Sequence, residues 1–382
     1  MKVLISGGGI AGITIAIALQ KKGFETGIFE SAPVIGPVGA GLALGANAVK
    51  VIKLLGMYEE LPGLASRMRT GLILDQHGKL ITSTGEQQLG NGLTTATFAI
   101  HRADLHALLL KHYEGRIHTG NRAVAYEEKN EKIILTLRDG TKAEGDFLVS
   151  ADGIHSLLRK QVLPESRLRF TGFGCWRGVI SHLPEGIDPQ QFSETWGVKG
   201  RFGIVPIGGN RVYWFATAPA ETDNEMMRAM TVQDLRGHFS GYHENVQKVL
   251  AAAEGEPLIY SDLVDLEPIT NFAFGRMALA GDAAHATTPN LGQGACQAME
   301  DALVFANCLA ENPSAEGVKR YSELRLPRTT KVVNTSWKMG KIAENGSPLM
   351  SSLRNGMLRM LPRKMSEKQV RFLYDVRFPG WE

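Results

Sequence analysis

The first thirty residues constrain the fold more than any other stretch. Lys2–Ser6 (KVLIS) reads as a short buried strand, Gly7-Gly8-Gly9-Ile10-Ala11-Gly12 follows at once, Ile10–Lys22 is apolar over a helical length, and Thr26–Glu30 reads as a second strand. Strand, glycine-rich turn, helix and strand form the opening half of a doubly wound α/β unit with parallel strands. The three motif glycines have separate roles: Gly7 permits the tight turn, Gly9 lets backbone approach a pyrophosphate, and Gly12 lets helix and strand pack closely. Backbone N–H groups at the helix start, around Ala11, then face the phosphates with the positive end of the helix dipole behind them. Glu30, followed by Ser31, stands where an acid accepts hydrogen bonds from adenosine ribose hydroxyls. A loop of this kind serves NAD and FAD alike.

Composition narrows the partner. The 382 residues allow two or three domains, and 43% hydrophobic with 21% charged residues describes an ordinary folded protein, not a disordered or collagen-like one. A formal charge of +3 is too weak for a nucleic-acid footprint, so a small-molecule partner is expected. Cys175, Cys296 and Cys308 form no CxxC pair, which argues against a disulfide framework or a cysteine metal site and fits a reducing, cytoplasmic setting. The apolar stretch to Leu19 lacks a cleavage pattern, and unbroken apolar runs reach about ten residues where a span needs about twenty. No integral membrane contact is expected, and the sequons at Asn334 and Asn345 mean nothing without export.

Further along, Ala46–Leu55 and Arg102–Tyr113 carry helical spacing. Residues 115–149 alternate in short runs (RIHTG, VAYEE, KIILTL, DFLVS) around Asp139-Gly140, which predicts an antiparallel meander. FGIVPI and RVYWFAT, separated by Gly208-Gly209-Asn210, predict a hairpin within the sheet of a second domain. Short helices are expected over 231–252, strands at 258–266 and 276–280, and helices at Gly292–Leu309 and Ala315–Lys341, with no internal repeat.

Two later motifs join the opening loop. Ala151-Asp152-Gly153-Ile154-His155-Ser156-Leu157-Leu158-Arg159 matches a DGxxSxxR segment, and Gly281-Asp282-Ala283-Ala284-His285 with Pro289 and Gly292-Gln293-Gly294 matches GDAAHxxxPxxGQG. Along nearly its whole length the chain resembles the single-component (group A) FAD-dependent aromatic hydroxylases related to p-hydroxybenzoate hydroxylase. The resemblance implies a Rossmann-like FAD-binding domain with an inserted mixed or antiparallel β-sheet substrate domain and C-terminal helices. The expected division is 1–70, 99–168 and 268–330 for FAD, 71–98 and 169–267 for substrate, and 331–382 for the C-terminal segment. It implies cofactor contacts by Asp152, by Arg102 at a helix start, and by the backbone of Arg122–Val124 around Ala123 near the adenine. Asp282, after a buried strand, suits ribitol hydroxyls, and Gly292, Gln293, Gly294 and Ala295 open a helix whose free N–H donors suit the negative charge of reduced flavin. His285 is expected to be a hydrogen-bonded structural histidine.

On the substrate side, Arg201 and Tyr213 are expected to share one pocket wall, a planar cation for an anionic or imide-like group beside a phenol. This pair, with Thr287-Thr288-Pro289-Asn290-Leu291-Gly292-Gln293-Gly294, is similar to the FAD-dependent urate hydroxylases. Trp176, Phe202, Trp214 and Phe215 are candidates for the cavity or the core, and Met339–Met365, with Arg354, Arg359, Arg363 and Lys364, for an amphipathic cover packed on the body or a surface touching a membrane or partner. The implied activity is an FAD-dependent monooxygenase, monomeric or homodimeric, in which NADH or NADPH binds transiently and O2 is delivered through a flavin C4a-hydroperoxide to a small electron-rich aromatic or N-heteroaromatic substrate. The alternative is a flavin-dependent dehydrogenase or reductase on the same fold without oxygen insertion.

Overall fold

The protein is described from a computed structural model that covers residues 1–36, 39–85, 97–344, 347–360 and 371–381. Asn345, residues 86–96 of the expected substrate domain, and Arg363, Lys364 and Met365 lie outside the described residues.

Lys2–Ser6 is buried on both faces and pairs in parallel with Glu25–Phe29 on one side and Phe147–Ser150 on the other. Arg116–His118 extends the sheet beyond Glu25–Phe29, and Met277–Leu279 extends it beyond Phe147–Ser150, with Ala273–Phe274 at the edge. Helix α1 (Ile10–Lys21), apolar along its length, covers this sheet, and α2 (Gly294–Glu311) packs against α1. The expected meander is therefore smaller than the alternation suggests. Only Ala123–Lys129, Lys132–Leu137 and Lys142–Gly145 form it. RIHTG and DFLVS join the parallel sheet instead, and Phe147–Ser150 is buried at every position, as a central parallel strand requires.

A seven-stranded sheet stands beside the first. Its order is Leu258–Leu266, Leu168–Ile180, Arg211–Pro219, Gly200–Ile207, Gln191–Gly197, Thr70–Asp75 and Leu80–Gly85. The FGIVPI and RVYWFAT strands pair as the expected hairpin, with Val205 opposite Tyr213 and Arg201 opposite Thr217. The two-residue period divides the faces. Trp176, Phe202 and Trp214 point into a core sealed by helices Val232–His238 and Glu244–Ala252, so they are core residues, not cavity residues. The residues between them, including Cys175, Arg177, Arg201, Tyr213 and Phe215, line a cavity on the other face.

Helix α3 (Ala315–Ala343) locks the cavity loops to the body through buried charge. Arg325 of α3 donates to Asp301 Oδ1 (2.7 Å) and Glu300 Oε2 (2.6 Å) of α2, and Arg328 reaches both Glu300 oxygens (2.6 and 2.7 Å). Asp301 Oδ2 accepts from Gly281 N–H (2.9 Å) and lies 2.7 Å from His285 Nε2. Burial alone raises the Asp301 pKa, but His285 and Arg325 outweigh it and hold it at about 2. Arg325→Met leaves two buried carboxylates short of a cation, and we expect a loss of about 3–5 kcal/mol in urea unfolding at neutral pH. Because the folded pKa of Asp301 lies below the unfolded value of about 3.9, its stabilisation is complete above that value and declines as pH falls toward 2. Asp301→Asn should therefore be less stable at pH 7 yet lose less stability than the parent between about pH 5 and pH 3.

Candidate active site

The carboxyl ends of the parallel strands lie along one edge, and the loops leaving them carry the sequence motifs. At Gly7 the backbone has φ +105°, and a Cβ there would stand 2.3 Å from the Ala151 carbonyl oxygen, so the turn admits only glycine. A Cβ on Gly12 would lie 1.9 Å from the Gly7 carbonyl oxygen, which is why α1 can start so close to the strand. Gly9 differs: no atom lies within 4 Å of a Cβ placed on it. That open space adjoins the first N–H groups of α1, which have no intrahelical acceptor.

Glu30 follows the second strand and accepts from Gly8 N–H (2.7 Å) and Ala32 N–H (2.8 Å), with the Ser31 hydroxyl 3.0 Å away. Burial raises its pKa, but these donors together hold it below the usual carboxylate value. Residues 118–121 run beside it, through Glu30 N–H to His118 O (2.8 Å) and Asn121 N–H to Glu30 O (3.2 Å), leading to Ala123 at the start of the meander. Glu30, Ser31, Ala123 and Asp152 thus lie along the strand-end edge but outside the cavity lining. Asp152 accepts from Ser150 Oγ through one oxygen (2.5 Å), while its other oxygen is buried without a partner. Ser156 caps the helix Leu157–Val162, and Arg159, 1% exposed, donates to the carbonyls of Ile154 (2.6 Å) and Ala283 (3.2 Å). The DGxxSxxR segment therefore braces the GDAAH segment.

The cavity itself, about 600 Å³, is continuous from this edge to the seven-stranded sheet. Gly9, Ala11, Arg102, Asp282, Pro289 and Gly292–Ala295 line one end. Asp282 opens onto the cavity while protein surrounds it, and that burial pushes its pKa up against the pull of His285 and Arg102. Gly292 takes a left-handed conformation (φ +60°) just ahead of Gln293, the N-cap of α2, and the first turn of α2 faces the cavity. Gln293 is held by Asn47 Nδ2 (3.0 Å) and Gln297 Nε2 (3.0 Å), and its own Nε2 has no partner. Thr287 Oγ1 is likewise buried and unpaired.

At the other end stand Arg177, Arg201, Tyr213 and Phe215. Arg201, expected as a fixed cation for an anionic or imide-like group, is already engaged by protein. Its guanidinium donates to Glu194 Oε1 (3.0 Å), Glu344 Oε1 (2.8 Å) and Asn290 Oδ1 (2.7 Å), leaving only Nε without an acceptor. Two buried carboxylates neutralise it, and burial pushes the Glu344 pKa up while Arg201 pulls it down. Arg177, which the motif reading missed, has no carboxylate in ion-pair range among the described residues. It donates to Ser261 Oγ (2.6 Å), and its charge acts on the neighbouring Tyr213 phenol. Burial pushes the Tyr213 phenol above its usual range, with Arg177 opposing. The two-residue period that marks 213 and 215 also marks Cys175 and Arg177 on the adjacent strand, so strand pairing is the signal that finds them. Tyr374, near the C-terminus, also lines the cavity and had no local signature.

The chemistry of this donor set suits a dinucleotide with a redox ring: open backbone at a helix start, an acid at the second strand end, a carboxylate over the cavity and a second helix start facing it. A family model described as FAD binding domain matches residues 1–336. The aurachin C monooxygenase/isomerase of Stigmatella aurantiaca is 34% identical over 378 residues, which cover 97% of each chain. The 2-heptyl-3-hydroxy-4(1H)-quinolone synthase of Pseudomonas aeruginosa strain UCBPP-PA14 is 34% identical over 370 residues, covering 95% of this chain and 94% of that one. The crystal structure of Klebsiella pneumoniae HpxO complexed with FAD and uric acid is similar with a TM-score of 0.87 and 28% identity, covering 97% of this chain and 95% of that chain. The chain belongs to the FAD-binding-domain family, among its FAD-dependent monooxygenases.

Proposed function

We propose that this protein uses NAD(P)H and O2 to hydroxylate a small, electron-rich N-heteroaromatic ring that carries an exocyclic carbonyl oxygen, the class to which urate and 4(1H)-quinolones belong. The observation that carries this reading is one cavity bounded at one end by the motif loops and at the other by Arg177, Arg201, Tyr213 and Phe215. The names and bound uric acid of the relatives support it. In this proposal segments 1–70, 99–168 and 268–330 hold the cofactor, and 71–98 and 169–267 the substrate.

Gly7, Gly9, Ala11 and Gly12 would hold the FAD pyrophosphate, Glu30 and Ser31 the ribose, Ala123 the adenine and Asp282 the ribitol. Arg102, Asp152, Pro289 and Gly292–Ala295 would complete the contacts. Bound FAD supplies the redox chemistry, accepting a hydride from NAD(P)H and activating O2 for transfer of one oxygen atom to the ring. The α2 N-terminus offers unpaired N–H donors and positive potential to the cavity, which would stabilise negative charge on a bound, reduced ring.

The chain's own part toward the substrate is to bind and orient. Arg177 and Tyr213 hold the carbonyl oxygen, and a cation with no carboxylate partner among the described residues favours its ionised form, which enriches the ring for attack. Arg201, already neutralised, orients through its remaining Nε–H. Phe215 and Val205 pack on the ring and keep water from the reacting carbon.

The test is to load the protein with FAD, confirm a yellow holoprotein, and offer uric acid and a 2-alkyl-4(1H)-quinolone. We expect stimulated NAD(P)H oxidation by at least one of them and a product heavier by one oxygen from labelled O2. Oxidation of the offered compound without oxygen gain would instead identify a dehydrogenase. Arg177→Gln should keep the flavin absorbance and raise KM roughly 10- to 100-fold, the value of a hydrogen bond to a charged group. An unchanged KM removes Arg177 from the substrate site.

A further inference from the structure

Helix α4 (Pro348–Arg359) is amphipathic in the reverse sense. Its polar residues Ser351, Arg354 and Asn355 are buried, whereas Leu349 (71% exposed), Leu353 (56%), Met357 (72%) and the following Met360 (84%) face solvent. Spacings of four, four and three residues align these four side chains on one stripe. The part of the expectation that made this segment a cover packed by its apolar face is thus corrected. Leu358 does pack inward, on the cluster of Ile81, Trp196 and Ala343, but the stripe does not.

The reversal has a specific cause. Arg354 Nη1 donates to the carbonyls of Ile342 (3.3 Å) and Ala343 (2.7 Å), which end α3, and the guanidinium stacks 5.0 Å from the Trp196 ring centroid. Its Nε donates to Asn355 Oδ1 (3.0 Å). Helix-terminal carbonyls lack intrahelical donors, so Arg354 satisfies them and fixes the rotation of α4 about its axis. The apolar stripe is held outward by a buried polar anchor.

Along the sequence, the charge that flanks the stripe is almost all of one sign. Between Glu323 and Glu367 the sequence has a single carboxylate, Glu344, and that one is buried against Arg201. Lys331, Lys338, Lys341 and Arg359 in the same stretch are exposed, and Lys338 and Lys341 lie within five residues of the carbonyls that Arg354 caps. Arg359 is paired with Asp75 (3.0 Å). A second copy docking through this face would bring like charges together, as a two-fold contact sets the same patch against itself. Unbranched and γ-branched side chains on a convex helix also offer no pocket for a rigid partner, whereas a fluid apolar phase needs no matching shape.

We infer that α4 and the end of α3 form a docking surface for an anionic lipid bilayer, with the Leu/Met stripe at the acyl boundary and the lysines at the headgroups. The contact is peripheral, since no helix among the described residues is long and apolar enough to cross a membrane. It rests on surface observations alone and stands apart from the substrate reading.

Co-sedimentation of the FAD-loaded protein with vesicles tests it. The protein should sediment with mixed phosphatidylcholine/phosphatidylglycerol vesicles, far less with phosphatidylcholine alone, and be released by high salt. Leu353→Glu combined with Met357→Glu changes exposed positions only, so flavin absorbance and melting temperature should hold while vesicle binding falls about tenfold or more. Lys338→Glu combined with Lys341→Glu should weaken binding to the mixed vesicles by about tenfold. Three results would each overturn the inference: no sedimentation with anionic vesicles, equal binding by parent and variants, or a parent dimer in light scattering that the Leu353/Met357 change splits.

Discussion

The cavity depends on a pair of buried carboxylates, Glu300 and Asp301, and on the two arginines that reach them. These side chains join four separate pieces of chain. Glu300 receives Arg325 and Arg328 from α3 and Asn47 Nδ2 (2.6 Å) from the helix Ala46–Leu54, while Asp301 receives the Gly281 N–H and faces His285. Taking these charges out of water costs several kcal/mol per ion, and only a fully satisfied network recovers it. Each oxygen of both carboxylates has at least one partner, so the arrangement meets that condition. The result is that Gly281 and the adjacent Asp282, which opens onto the cavity, and Gln293, which Asn47 holds, are positioned by the same buried charges.

From that anchor the position of the site follows. Parallel strands present their carboxyl ends on one edge, and loops there can bend toward a ligand without breaking the ladder. The seven-stranded sheet meets this edge with one face, because its other face is occupied by apolar helices. Strand alternation then decides which residues can touch a ligand: Arg177, Arg201, Tyr213 and Phe215 are on the open face, and Trp176, Phe202 and Trp214 are not. A solved Klebsiella structure matches this fold over nearly its full length, and specificity on such a fold rests with the side chains that line the cavity.

What was legible in the sequence was what local backbone chemistry requires. Gly7 and Gly12 are demanded by contacts under 2.5 Å that any side chain would violate, and such positions declare themselves as a motif. The hairpin of Gly200–Ile207 with Arg211–Pro219 was legible because its turn residues Gly209 and Asn210 take positive φ. Strand alternation places Arg201 on the cavity wall but not its partners, since Glu344 is 143 residues away and nothing in local spacing pairs them. The place of Phe147–Ser150 is not legible, because a run of three apolar residues carries no period that separates a central parallel strand from an edge one. Arg177 was within reach once the register of Leu168–Ile180 against Arg211–Pro219 is known, as Phe215 lies opposite it.

Net charge misled in a similar way, by averaging. A total of +3 describes a nearly balanced protein, yet one stretch between Glu323 and Glu367 holds a single carboxylate among many cations, so the remainder of the chain is acidic. Within that stretch the cations divide by role. Arg325 and Arg328 are spent on buried carboxylates, Arg354 on helix-end carbonyls, and the lysines at the end of α3 stay in water. Arginine serves the buried contacts because its planar fork satisfies several acceptors at once, and lysine the exposed ones because its ammonium is strongly hydrated. The same division separates the interior, where charge fixes geometry, from the surface, where charge is left over for a partner.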